Sequence, residues 1–244
     1  MSVEDITAAL STPKPLRLAE TALFLDLDGT LAPIAARPQD VAPDPRRTSL
    51  LDRLARQLDG RLAVVSGRTL GDVDRILESC VTPVAAVHGL VRRGPDLKLF
   101  ETPPHPALPL AIEAFRAFAA RDSGLIVEEK GDLSVALHFR LARVHAEAAR
   151  VCARAIAAST GLTLQEGDMV EELRTPGATK GDSVRAFMAQ APFAGARPVF
   201  VGDDSTDEDG FAAAQTLGGV PSNHKEAVRL AGIYHNLLRF WADS

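Results

Sequence analysis

The chain has 244 residues, 46% of them apolar, and a formal charge of −5. It is long enough to bury a real core, as one large domain or two small ones, and no run of ~18 apolar residues marks a membrane span. The negative balance supplies no broad attraction for nucleic acid or anionic lipid, so a small anionic substrate must be met by local positive groups. The opening segment MSVEDITAALSTPKPLRLAE starts acidic and lacks a cleavable apolar core, so no secretory signal is expected and the expected compartment is the cytoplasm. Cys80 and Cys152 have no disulfide or metal spacing and are expected to behave as small buried hydrophobes.

The first strong element is TALFLDLDGTLAP, residues 21–33. Its continuous apolar run reads as a strand buried on both faces of a parallel sheet, predicted to continue to Gly29. Alternation then puts Asp26 and Asp28 on one side, about 7 Å apart along the rise. Two like charges that close resist ionising together unless something positive holds them. A strand's C-terminal edge is where open α/β sheets bind ligands, and a metal ion is the obvious counter-charge. A helix is predicted next, with Asp44 as its cap, Pro45 at its first position, and Leu50, Leu51, Leu54 and Leu58 at helical spacing. RLAVVS (61–66), PVAAVHG (83–89) and RPVFVG (197–202) resemble further parallel strands. Strands alternating with helices predict an α/β fold, a doubly wound and mainly parallel sheet with right-handed crossovers.

A proline-rich passage, ETPPHPALPL (101–110), interrupts that alternation. It is followed by a helix with Ile112, Phe115 and Ala119 on one face, then the candidate strands LIVEEK and SVALHFR. A second helix carries Val144, Ala148, Val151 and Ala155 at helical spacing, and the strands LTLQEG and MVEELRT follow it. Helix–strand–strand occurring twice predicts an α+β cap over residues 105–175, inserted into a discontinuous core of 1–104 and 176–244. The tail HKEAVRLAGIYHNLLRFWADS (224–244) reads as a helix, with Trp241 as a packing anchor.

Three further stretches carry chemistry. VFVGDDSTDEDGF (199–211) ends a strand in acids. If that strand neighbours the first, Asp203 and Asp207 approach Asp26, and hard oxygen ligands of this kind suit Mg²⁺ completed by water and a substrate phosphate. Asp207, Glu208 and Asp209 equally fit the acidic first turn of a helix. VVSGR offers Ser66, Gly67 and Arg68, where a hydroxyl and backbone N–H groups can bind phosphate oxygens, although Arg68 also suits an ordinary surface position. Lys180 opens a predicted helix against the helix dipole; countering Asp26, Asp203 and a phosphate dianion accounts for it, and a solvated lysine is the alternative. In the predicted cap, Glu128 with Lys130, His138 with Arg140, and Glu172 with Arg174 share one strand face each. Such a face suits sugar hydroxyls, and it also suits a sheet that is simply solvated on one side.

DLDGT, SGR, Lys180–Gly181 and GDDSTDEDGF, in that order and on those elements, resemble the haloacid dehalogenase superfamily of phosphatases. The resemblance implies that Asp26 attacks phosphorus to give an aspartyl-phosphate. It implies that Asp28 protonates the leaving oxygen and then activates water. Mg²⁺ is implied on Asp26, the backbone carbonyl of Asp28 and Asp203, with Asp207 behind them or acting through a water. Ser66, Gly67 and Lys180 are implied to hold the phosphoryl oxygens. VEEKGDLSVALHFR, VHG and EELRTPGATKG are similar to segments of the trehalose-6-phosphate phosphatase family. That likeness implies a sugar site of Glu128, Lys130, His138, Arg140 and Glu172, with Arg68, His88 and Gly89 at the substrate cleft. This sequence departs from the family at Val91, where a glutamate is usual, and at Thr175, where a proline is usual. The implied reaction is hydrolysis of trehalose 6-phosphate. A sucrose-phosphate or glycosyl-phosphoglycerate phosphatase, a phosphosugar mutase and a non-catalytic sugar-phosphate sensor stand as alternatives. The expected partner is the small sugar phosphate alone, with neither nucleic acid nor membrane; a monomer is compatible with the sequence, which leaves the oligomeric state open.

Overall fold

The computed structural model describes residues 17–220, so the helix expected over 224–244, with Trp241, lies outside the described residues. The chain alternates β1 (Thr21–Leu25), α1 (Pro45–Gln57), β2 (Leu62–Val65), α2 (Leu70–Leu77) and β3 (Val84–Ala86), and adds β4 (Val91–Arg93) and β5 (Leu99–Glu101). Then come α3 (Leu108–Ala119), β6 (Ile126–Lys130), β7 (Ser134–His138), α4 (Ala146–Thr160), β8 (Thr163–Gly167) and β9 (Val170–Arg174). The chain closes its described part with α5 (Lys180–Met188), β10 (Arg197–Val201) and α6 (Glu208–Thr216).

One six-stranded sheet has the order β10-β1-β2-β3-β4-β5. Its first four strands are parallel, as the apolar runs predict, and β4 and β5 extend it antiparallel. Because β1 to β3 are buried on both faces, each face has its own core. On one, Leu23, Leu25 and Val64 meet Leu51 and Leu58 at α1 and Ile76 of α2. Asp44 accepts the Arg46 N–H and Pro45 follows it, the predicted start of α1. On the other face Phe24 stacks on Phe187 of α5 and on Phe193, with ring centroids 6.2 and 5.5 Å away. Each such ring contributes about 1.5–3 kcal/mol by leaving water, and Phe187 seats α5 on this face of the sheet.

Two strand ends fall short of expectation. β1 stops at Leu25, not Gly29, and β3 stops at Ala86, where Val87–Gly89 form a single 3-10 turn. Asp26 still donates its N–H to the Val201 carbonyl at 2.8 Å, but the backbone then leaves the sheet, so Asp26 and Asp28 are not alternate residues of one strand.

A second, antiparallel sheet has the order β6-β7-β9-β8. Its odd-numbered side of β7 and β9 packs Val135, Leu137 and Leu173 against Phe115 and Phe118 of α3 and Ala149, Ala153 and Ile156 of α4. This corrects the predicted face of α4: Val144 precedes the helix and is 86% exposed, and Val151 is 56% exposed. Two apolar stripes run along this alanine-rich helix, and the sheet takes the one that carries Ile156. In α3 the buried line is Leu108, Ala111, Phe115 and Phe118, with Ile112 and Ala119 at its margin. Cys80 and Cys152 are half-buried rather than buried. Among the described residues no helix is long and apolar enough to cross a membrane.

Candidate active site

The C-terminal ends of β1, β2 and β10 meet the N-terminus of α5. Lys180, the first residue of α5, donates to Asp26 Oδ1 at 2.8 Å and to Asp207 Oδ1 at 2.7 Å. All three side chains are buried. The helix tolerates a lysine there because Thr179 caps it reciprocally: Thr179 Oγ1 accepts the Asp182 N–H, and Asp182 accepts the Thr179 N–H. Burial opposes the Lys180 charge, but Asp26 and Asp207 outweigh it and raise its pKa. Burial likewise pushes the Asp26 carboxyl well above its ordinary range, and Lys180 pulls it back only in part.

Asp207 Oδ2 accepts the N–H groups of Asp203 and Asp204 at 3.0 and 3.1 Å, which folds the loop after β10 around it. The Asp203 carboxylate in turn lies on Gly29: a Cβ there would stand 1.9 Å from Asp203 Oδ2, and the backbone holds φ at +83°. Only glycine meets both demands. Carboxylate oxygens of Asp26, Asp203 and Asp207 lie within 4.8 Å of one another. That oxygen-only set fits a hard cation such as Mg²⁺. Asp207 has both oxygens engaged already, so Asp26 and Asp203 face the cation position more directly.

Asp28 is placed differently. Arg68 grips it in a two-pronged ion pair, Nε to Oδ2 and Nη2 to Oδ1, both 2.7 Å, while Nη1 donates to the Pro38 carbonyl at 2.8 Å. Burial works against the guanidinium, yet Asp28 more than compensates and its pKa is raised.

Facing this end across a cleft of about 690 Å³ is the polar side of the second sheet. His138 Nε2 lies 2.7 Å from Glu128 Oε2, and Lys130 Nζ lies 2.5 Å from Glu172 Oε2. Ser134 Oγ donates to the other Glu172 oxygen. Burial opposes the Glu172 charge, but Lys130 and His88 hold its carboxyl far below the usual range. Burial also opposes the charge on Glu128, which His138 and Lys130 hold below the usual range. His88 joins the two sheets: its backbone is left-handed at φ +57°, and its Nε2 sits 3.4 Å from Glu172 Oε2. Burial pushes its pKa down, and Nδ1 has no partner among the described residues.

A family description for trehalose-phosphatase matches residues 24–231. The chain belongs to the trehalose-phosphatase family. It is 39% identical over 219 residues to a probable trehalose-phosphate phosphatase of Sinorhizobium fredii, covering 89% of this chain and 81% of that one. It is 38% identical over 212 residues to the trehalose-6-phosphate phosphatase of Escherichia coli, covering 86% and 79%. Among solved structures, a trehalose-6-phosphate phosphatase related protein superposes with a TM-score of 0.67 at 27% identity, over 80% of this chain and 82% of the other. The C-terminal domain of the Candida albicans trehalose-6-phosphate phosphatase has a TM-score of 0.72 at 19% identity, over 82% and 75%, and shares the fold.

Within this trehalose-phosphatase chain the predicted residues divide by position. Asp26, Asp28, Gly67, Arg68, Lys180 and Asp203 line the cleft on the side of the parallel sheet, with His88 at the seam. Glu128, Lys130, His138, Arg140 and Glu172 line it from the second sheet. Arg140 is turned to the β8–β9 turn, where it donates to the Asp168 carbonyl and carboxylate at 3.0 and 2.9 Å. Three others stand behind the surface. Ser66 is fully buried with Oγ accepting the Arg68 N–H at 3.2 Å. Gly89 lies under Thr179, and Asp207 lies under Lys180. Val91 joins the apolar core. Arg174 is buried and donates to the Ala178 carbonyl, away from the cleft. Sequence reasoning missed Ser134, Gln165 and the Ile34–Pro38 wall; Ser134 was within reach, two positions before Ala136 and four before His138 on one strand face.

Proposed function

We propose that this protein hydrolyses trehalose 6-phosphate to trehalose and inorganic phosphate, with residues 105–175 as a cap over a catalytic core of 1–104 and 176–244. One observation carries the reading: the Asp26–Lys180–Asp203 cluster faces, across a single cleft, a sheet of paired acids and bases suited to sugar hydroxyls. An Asp26 oxygen attacks phosphorus as the bond to the sugar oxygen breaks, and Asp28 delivers a proton to that oxygen. Water then attacks the phosphorus of the aspartyl-phosphate, Asp28 takes its proton, and phosphate leaves with Asp26 regenerated. Arg68 sets where Asp28 stands, and one carboxylate oxygen must leave that fork to carry the proton. Lys180 and the backbone N–H groups around Gly67 offset charge on the phosphoryl oxygens, with Ser66 shaping that loop from behind. Asp26 and Asp203, with Asp207 behind them, would hold Mg²⁺, which when bound neutralises part of the phosphate charge. Glu128, Lys130, His138, Arg140 and Glu172 take the sugar hydroxyls, and His88 links the two ends. The cap pivots on the crossings near Pro103 and Thr175, so that closure excludes water.

Phosphate release from a panel of phosphosugars, with Mg²⁺ and then with EDTA, tests the reading. A metal-dependent preference for trehalose 6-phosphate is expected. Metal-dependent release from a different sugar phosphate overturns the substrate, and no release from any of them overturns the hydrolase.

A further inference from the structure

We infer that Gln165 is a sugar-contacting residue that sets selectivity for the sugar part of the substrate; the inference rests on the phosphatase reading above. The register of the cap sheet puts Glu128 opposite Ala136, Ala136 opposite Glu172, and Glu172 opposite Gln165. Residues paired in this way share a face, so the four form one row across the sheet on the cleft side. Ala136, fully buried in the middle, leaves room for the acids to lie over it. Gln165 is half-buried and lines the cleft. Its neighbour Glu166 points the other way, to Arg154 at 2.9 Å, as strand alternation requires.

The polar accounting of this wall singles out Gln165. Glu128 is matched to His138, Lys130 to Glu172, and Arg140 to Asp168. Among the described cap residues that line the cleft, Gln165 is the polar side chain with no hydrogen-bond partner in the protein. A charged pair must exchange or share its partner to engage a sugar. The amide need not: its carbonyl accepts and its NH₂ donates, the combination a sugar hydroxyl offers in return. Placed beside Glu172 in the row, it extends the sugar-reading surface to β8, the strand at the edge of the cap sheet.

The test compares Gln165→Leu, which keeps the bulk and removes both polar atoms, with the full-length wild type in Mg²⁺. The readout is kcat/KM for the preferred phosphosugar divided by kcat/KM for p-nitrophenyl phosphate, which has no sugar to contact. That ratio is expected to fall about tenfold, or about 1.4 kcal/mol, mainly through KM, with p-nitrophenyl phosphate turnover and Tm unchanged. Gln165→Ala carries the same expectation without the leucine's bulk. An unchanged ratio, or equal losses on both substrates, overturns the inference. The wild-type panel separates the two readings: preference for another sugar phosphate overturns trehalose 6-phosphate, while the ratio is still measured on that sugar. A wild type active on p-nitrophenyl phosphate alone overturns both.

Discussion

Replacing Lys180 by methionine keeps an unbranched chain in place and removes the ammonium from between Asp26 and Asp207. Its two hydrogen bonds are 2.8 and 2.7 Å long, and the three side chains are between 0 and 6% exposed. Without the lysine, two buried carboxylates face one another with no positive partner from α5. Removing one member of a buried ion pair costs about 3–5 kcal/mol, because the surviving charge is left uncompensated. In a domain of this size about 1 kcal/mol moves Tm by about 2–4 °C, so a fall of about 6–20 °C is expected. The carboxylates can escape part of this by binding a proton. The Asp26 carboxyl, already pushed up by burial, loses the lysine that pulls it back, so stability is retained at low pH and lost as pH rises. The gap between wild type and Lys180→Met should therefore be narrower at pH 5 than at pH 8. Thermal scans in EDTA at both values measure it. Adding Asp207→Asn should recover most of the loss, since asparagine keeps an oxygen for the Asp203 and Asp204 N–H groups while removing a charge. A Tm within about 2 °C of wild type, or a double variant no better than the single one, refutes the reasoning.

Three other outcomes follow from the same geometry. Arg68→Lys loses the two-pronged grip on Asp28 and is expected to lower kcat about 10–100-fold on a phosphosugar and on p-nitrophenyl phosphate alike; unchanged turnover on both would detach Arg68 from the acid. Glu128→Ala should cut kcat/KM for trehalose 6-phosphate about tenfold or more and spare p-nitrophenyl phosphate, and equal losses place Glu128 outside the sugar site. Glu171 lies on the helix side of the second sheet, 1% exposed, where burial and Glu166 push its pKa up to about 6 against Arg150 and Arg154. A raised carboxylate pKa contributes stability at low pH that is lost as pH rises through it, here between about 4.5 and 6. At about 1.36 kcal/mol per pH unit this is at most about 2 kcal/mol. Glu171→Gln should therefore gain Tm relative to wild type across that window, and parallel curves would exclude the effect.

Much of this arrangement is legible from local pattern. The parallel strands declare themselves as short apolar runs, and the polar side of the second sheet declares itself by period two. Asp26 and Glu172 could thus be assigned to a strand end or face, and Lys180 to the start of a helix, before any contact was known. What the pattern does not carry is pairing. Arg68 meets Asp28 across 40 residues and Lys130 meets Glu172 across 42, contacts set by topology and register rather than by neighbouring sequence. The β4–β5 hairpin stayed hidden because its strands are three residues each and carry charge; Arg92 covers Phe100 there, 4.6 Å from the ring centre, instead of showing an apolar run. In α4, Val144, Ala148, Val151 and Ala155 satisfy helical spacing as well as Ala149, Ala153 and Ile156 do, and only the sheet beneath decides between them. At Ser66 the tight turn after β2 sets the hydroxyl to accept the Arg68 N–H, a contact the SGR motif does not declare.

The departure at Thr175 has a structural consequence. Its N–H donates to the Leu133 carbonyl at 2.8 Å, and its Oγ1 accepts the His105 N–H at 3.1 Å, so it ties together the two chain crossings between the sheets. A proline would remove both bonds and substitute a fixed φ. In this chain, hydrogen bonds from Thr175 steady the crossings. A second tie lies deeper. Val87 and His88 donate their N–H groups to the Arg68 and Ser66 carbonyls at 2.8 and 3.0 Å, joining the 3-10 turn after β3 to the SGR loop. The His88 ring occupies space that a Cβ on Gly67 would invade at 2.5 Å, and it reaches Glu172 on the second sheet. The loop that positions Arg68 beside Asp28 therefore packs on the residue that reaches Glu172 of the second sheet.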